Sequence, residues 1–256
     1  MSHPLILALL ACGLIGLRHG FDYDHLAAIS DIACAERRWS EGMGLGLLYA
    51  LGHASTVAAL GTAVLFLHLP LPLGLDAVGE RLVGATLIVL ALYVGFSFLR
   101  QRAALRAGDG AHPGWPARSR IALLVSAARY GYWRVRRLAD PARPQPTPFA
   151  FVYTRSSVFA VGMLHGLGAE TPSQLLIFLI AANLGGTSRG FLGLLCFLAG
   201  MLLMNTLMTA CASGLFSSSL HRPRVQGALT TLTTAYSLGI GMVFLLGAGQ
   251  HLPPLH

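Results

Sequence analysis

"GLRHGFDYDHLAAISDI", residues 16 to 32, sets one arginine, three aspartates and two histidines into a run that otherwise has the composition of a membrane-buried helix. At a helix centre in a bilayer each Arg or Asp costs about 2.5 to 3.5 kcal/mol, whereas each Leu or Ile returns only about 0.3 to 0.6 kcal/mol. The eight Leu and Ile residues between positions 5 and 17 therefore do not offset Arg18, Asp22 and Asp24. This segment needs partners for its polar groups.

The rest of the chain supplies the setting. Of 256 residues, 54% are hydrophobic and 11% charged, and several apolar runs approach the roughly twenty residues that cross a bilayer as helix. An all-α integral membrane protein is expected, with six spans near residues 4 to 33, 43 to 67, 81 to 99, 156 to 182, 190 to 216 and 226 to 249. The first is too long for one straight crossing, because about thirty residues at 1.5 Å each overreach a hydrocarbon core of about 30 Å. It must tilt, break or overhang. "LILALLACG" resembles a leader ending at Cys12, but no Lys or Arg precedes it, so it is read as the first half of a retained helix. The four cysteines stand singly and read as packing residues.

Residues 100 to 155 carry eleven arginines and two aspartates, and the rest of the chain is nearly neutral. The basic character thus belongs to one loop, dividing the chain into 1 to 99, 100 to 155 and 156 to 256. Within it, "RIALLVSAARYGYWRVRRL" mixes arginine with apolar and aromatic residues as a membrane-surface helix does, which disfavours nucleic-acid binding. "DPARPQPTP" follows as a proline-stiffened linker. The loops after spans one, three and five hold fifteen arginines, and the opposite side holds only Arg81 and Arg189. The positive-inside rule places the arginine-rich side in the cytoplasm and both termini outside the inner (plasma) membrane.

Three spans, a long connection and three more spans suggest duplication. "LRHGFDYD" has His19-Gly20 with Asp24 five residues after the histidine; "MLHGLGAE" has His165-Gly166 with Glu170 at the same distance. Three crossings separate the copies, so they run in opposite directions. Two inverted three-helix repeats of this kind hold substrate at their interface in many secondary transporters.

The polar residues in these spans have the chemistry of a cation site. Asp22, Asp24 and Glu170 against Arg18 leave a formal −2, which suits a divalent ion. On a straight helix His19, Asp22 and His25 share a 120° stripe, while Asp24 lies about 140° from His19. Unwinding at Gly20 and at Gly166 would gather each histidine with its carboxylate; otherwise the carboxylates orient imidazoles from behind. "LGHASTV" adds His53, Ser55 and Thr56, and "GMLLMNTLMT" adds Asn205 and Thr206. Imidazole and carboxylate without thiolate favour Ni²⁺, Co²⁺ or Zn²⁺ over Cu⁺, and Met201, Met204 and Met208 read as core. Met1-Ser2-His3 has the spacing of a square-planar terminal site, provided Met1 is retained.

The motif "RHGFDYDHLAAI" resembles the signature of the nickel/cobalt transporters, a His, four residues, then Asp-His. "LGHASTV" and "LAGMLLMNT" are similar to that family's second-segment and later glycine-methionine motifs. The resemblance covers about half of the chain and not the arginine-rich loop. It implies a permease binding Ni²⁺ or Co²⁺ as transported ion, with no cofactor, through His19, Asp24, His25 and His53. Six spans against the family's usual eight, and Asn205 where an aspartate is expected, are departures. "HGLGAETP" is closer to nickel-permease and urease-accessory relatives, which keeps uptake, efflux and metal delivery to a maturing metalloenzyme open. A haem-binding electron carrier is disfavoured by carboxylates beside the histidines, and a metalloprotease by the lack of His-Glu-x-x-His. No enzyme activity is expected.

Overall fold

A computed structural model describes residues 3–36, 38–67, 74–106, 132–134, 137, 154–168 and 186–253. These residues contain helix and no strand. In chain order they form α1 (His3–His19), α2 (Tyr23–Ala35), α3 (Trp39–Leu67), α4 (Leu75–Arg106), α5 (Arg155–His165), α6 (Thr187–Ser219) and α7 (Pro223–Leu245). Glu170, the second half of the expected fourth span, Met1, Ser2 and most of the arginine-rich loop lie outside the described residues.

Four helices are long and apolar enough to cross a membrane, over Trp39–Leu67, Asp76–Leu99, Thr187–Ser219 and Pro223–Leu245. α1 and α2 pass the same test only as a pair and are bent by 53°, which makes up to five spans among the described residues. Leu7, Leu10, Leu14, Leu203, Leu207 and Leu232 are each more than half exposed. Such an apolar exterior belongs in lipid, since helices are the elements that satisfy their own backbone there.

The overlong first segment breaks where its sequence is most polar. α1 ends at His19, and its hydrogen bonds tighten: the Phe21 N–H donates to the Arg18 carbonyl and the Asp22 N–H to the His19 carbonyl, at 2.9 and 3.1 Å. α2 restarts when the Leu26 N–H reaches the Asp22 carbonyl at 3.0 Å. α5 ends comparably at His165, with turns through Gly166, Leu167 and Gly168.

The described residues fall into two compact units, one joining Met1–Val94 to Thr154–His256, the other Gly95–Tyr153. In the smaller, guanidinium groups lie over aromatic faces, Arg102 over Phe98 at 4.7 Å and Arg137 over Trp133 at 5.0 Å. The larger unit is assembled by glycine. A Cβ at Gly16 would overlap the Phe197 carbonyl, and one at Gly200 the Gly13 carbonyl, so α1 and α6 touch backbone to backbone. α5 lies on α3 in the same manner, through Gly162 against the Tyr49 carbonyl and Gly52 against the Phe159 carbonyl. Lipid offers no hydrophobic drive for helix pairing, so small residues that permit close approach carry it. Gly162→Val is therefore expected to cost more than the roughly 1 to 3 kcal/mol of ordinary overpacking, read as a lower unfolding temperature in detergent; an unchanged temperature would mean that α5 docks elsewhere.

Candidate metal centre

Three imidazoles meet where α1 breaks. His19 ends α1, His25 lies in the first turn of α2, and His53 stands mid-way along α3. One nitrogen from each lies within 4.8 Å of the other two. Ring centroids are 4.4 Å apart for His25 and His53, 5.0 Å for His19 and His25, and 5.2 Å for His19 and His53. His19 is 5% exposed and the other two are fully buried.

Hydrogen bonding fixes how this cluster presents itself. His19 Nδ1 is 3.0 Å from Asp22 Oδ2, so the ring donates there and leaves its Nε2 lone pair facing inwards. Asp22 is the residue before α2, yet its side chain caps no α2 amide; it turns back to His19 instead. His19 Nε2 is 3.1 Å from His53 Nε2. Two nitrogens at about 2.0 to 2.1 Å from one ion would stand that far apart at an angle near 100°. Both His25 nitrogens and His53 Nδ1 are buried with no hydrogen-bond partner. Buried polar atoms left in this state cost about 1 to 3 kcal/mol each, and an ion among the rings would satisfy one of the two at His25.

Charge and access complete the arrangement. A cavity of about 520 Å³ reaches the break and is lined by Arg18, His19, Asp22, Asp24, Asp76, Glu80 and His165, among others. Four carboxylates against one arginine suit cation entry, a matter of local potential. Helix ends of both signs meet here, the C-termini of α1 and α5 and the N-termini of α2 and α4, so the attraction for a cation comes from the carboxylates and not from the helix dipoles.

Asp24, 8% exposed, sits in the cavity wall, within electrostatic reach of His165, Tyr49 and Tyr236. Arg18 is exposed in the same wall. His165 is fully buried and occupied: the Tyr49 hydroxyl donates to Nδ1 at 2.9 Å, and Nε2 is 2.7 Å from Thr86 Oγ1, whose own proton goes to the Val83 carbonyl. Asn205 is fully buried with both amide atoms unpartnered. Ser55 and Thr56 do not join the cluster through their hydroxyls, which close on the Gly52 and Met163 carbonyls. Sequence reasoning missed Tyr49 and Phe197, which pack their rings against His165 and His19 at the same 5.5 Å. Each lies three residues before an interface glycine, Gly52 or Gly200, and that shared spacing is the signal that was available.

Comparison with known proteins gives a consistent group of relatives. The chain is 27% identical to the nickel transporter NicT of Mycobacterium tuberculosis over 91% of its own length and 64% of that protein's. It is 26% identical to the cobalt transport protein NhlF of Rhodococcus rhodochrous, covering 94% of the chain and 70% of the relative. The urease accessory protein UreH of a Bacillus species matches at 23% identity over 97% of the chain and 95% of UreH. The chain thus spans about two thirds of the transporters it matches. No family model matches it, and no solved structure does.

Proposed function

We propose that this chain, a relative in sequence of the nickel/cobalt permeases, carries Ni²⁺ or Co²⁺ across a membrane and binds the ion with the imidazoles of His19, His25 and His53. The observation that carries the reading is the buried cluster of three histidines, in which both His25 nitrogens and His53 Nδ1 have no hydrogen-bond partner and His19 lines an acid-rich cavity. Neutral imidazole suits these borderline ions. In this reading Asp24 supplies a carboxylate to the ion, Asp22 orients His19, and Arg18 offsets part of the acidic charge. Asn205 lends its amide, Ser55 and Thr56 support α3, and His165 stands behind Tyr49. Glu170 would add the second repeat's carboxylate.

The wider architecture belongs to the same proposal: six spans in two inverted repeats, divided at 1 to 99, 100 to 155 and 156 to 256, with both termini outside the plasma membrane. Support comes from corresponding contacts. Gly20 approaches the Met201 carbonyl and Met204 Cβ, and Gly166 approaches the His53 carbonyl and Thr56 Cβ, at 2.7 to 2.9 Å from their would-be Cβ atoms. The spacing from Met201 to Met204 equals that from His53 to Thr56, so the two helix ends use equivalent positions on α6 and α3. The cavity then opens on the outer side, where α4 begins and α7 ends.

The match to nearly the whole of UreH favours a second reading, delivery of nickel to a maturing enzyme such as urease. One measurement separates the two: ⁶³Ni²⁺ and ⁵⁷Co²⁺ movement in both directions with the purified protein alone in sealed vesicles. Saturable flux of either ion is expected, and the direction distinguishes uptake from efflux. Binding without flux, converted to flux only by an apo-enzyme, would overturn the permease reading in favour of delivery.

A further inference from the structure

Asp31, the third aspartate of the first span, has no part in the site described above. It is fully buried in α2, and neither carboxylate oxygen meets a hydrogen-bond partner of good geometry. No ion pair among the described residues includes it. An unpaired buried carboxylate costs several kcal/mol, so a membrane span keeps one when something neutralises it.

A hydroxyl of α7 meets Asp31. The Ser237 hydroxyl of α7 lies near Asp31 and, like its carboxylate oxygens, is buried with no hydrogen-bond partner, and one turn along α2 the Cys34 sulfur is 3.4 Å from Thr230 Oγ1. These two contacts run α2 antiparallel along α7. Several Ser and Thr hydroxyls of α6 and α7 close onto their own helix, as those of Thr206, Thr209, Ser219 and Thr231 do. The buried hydroxyls of Ser237 and, one turn before it on α7, Thr234 do not. A buried carboxylate facing an open hydroxyl offers oxygen donors to a cation.

Its position adds a direction. Asp31 follows Asp24 by seven residues, which on a helix is the same face about 10 Å further on. Asp24 lines the cavity at one end of α2; Asp31 lies towards the other end, beyond His25.

We propose that the Asp31 carboxylate and the Ser237 hydroxyl form a second, oxygen-donor cation site, which the transported divalent ion occupies between leaving the imidazoles and reaching the loop after α2. The site rests on the transport reading above. Oxygen donors hold Ni²⁺ or Co²⁺ more weakly than imidazole, and conduction needs a succession of sites weak enough to leave.

The test is equilibrium dialysis of the purified full chain in detergent against ⁶³Ni²⁺. Two classes of binding are expected in the wild type. Asp31→Asn should weaken the lower-affinity class at least about 10-fold and leave the tighter class unchanged, whereas His53→Ala should do the reverse. If Asp31→Asn does not fold, Ser237→Ala, which keeps the carboxylate, repeats the test with the same expected direction. A single class that both variants spare overturns this site alone. So does an infrared carbonyl band of protonated Asp31 that persists under saturating Ni²⁺, which would make the occupant a proton. A wild-type protein that binds no Ni²⁺ overturns the transport reading and this site together.

Discussion

Replacing His53 with alanine is expected to reduce Ni²⁺ flux to background while the protein still reaches the membrane. His53 holds the centre of the cluster, 3.1 Å from His19 between their Nε2 atoms and 4.4 Å from His25 between rings. Alanine is the best helix former, and the pairing of α3 with α5 runs through Gly52 and Gly162, so the helix and its docking survive. What is lost is one imidazole of the three and the hydrogen bond that holds His19 Nε2 in place. Loss of an orienting group alone typically costs 10 to 100-fold in metal affinity, and a missing ligand should cost more. Adding His25→Ala to His53→Ala is expected to cause little further loss, since residues that act as a unit fail together. The measurement is ⁶³Ni²⁺ affinity and vesicle flux at matched protein levels. Near wild-type flux in His53→Ala would move the ion path away from α3.

Much of this arrangement was legible in the sequence because it follows from cost. A segment that cannot cross the membrane straight, and places glycine directly after a histidine, has few alternatives to breaking there, and it breaks after His19. His53 was legible as the one side chain ionisable near neutral pH in the apolar middle of its helix. The roles of the hydroxyls beside it were not: Ser55 bonds the Gly52 carbonyl of its own helix, as a helical Ser commonly does, and Thr56 bonds the Met163 carbonyl of α5, a contact that only helix pairing reveals. The rings of Tyr49 and Phe197 were hidden for another reason. Aromatic residues in an apolar run read as core, and only the pairing of α3 with α5 and of α1 with α6 brings them onto His165 and His19. The burial of Asp31 against α7 was not legible, because nothing in the order of residues says which face of α2 meets that helix.

His165→Ala is expected to weaken Ni²⁺ binding by about 10 to 100-fold, although His165 does not direct a free nitrogen at the cluster. Its Nδ1 takes the Tyr49 proton and its Nε2–H goes to Thr86. Tyr49 in turn stands edge-on to His25, with centroids 5.8 Å apart. Removing His165 leaves a buried hydroxyl on Tyr49 unsatisfied, at about 1 to 3 kcal/mol, and frees the ring that backs His25. If His165 acts through Tyr49, then Tyr49→Phe should cost a similar factor, and the double variant should be little worse than the weaker single. Thr86→Val, which removes the other anchor, should fall in the same range. A directly ligating His165 predicts a different pattern: Tyr49→Phe would release Nδ1 and strengthen binding, and His165→Ala would then cancel that gain. Measured affinities for the four proteins, wild type, both singles and the double, separate the two roles by the sign of the Tyr49→Phe effect.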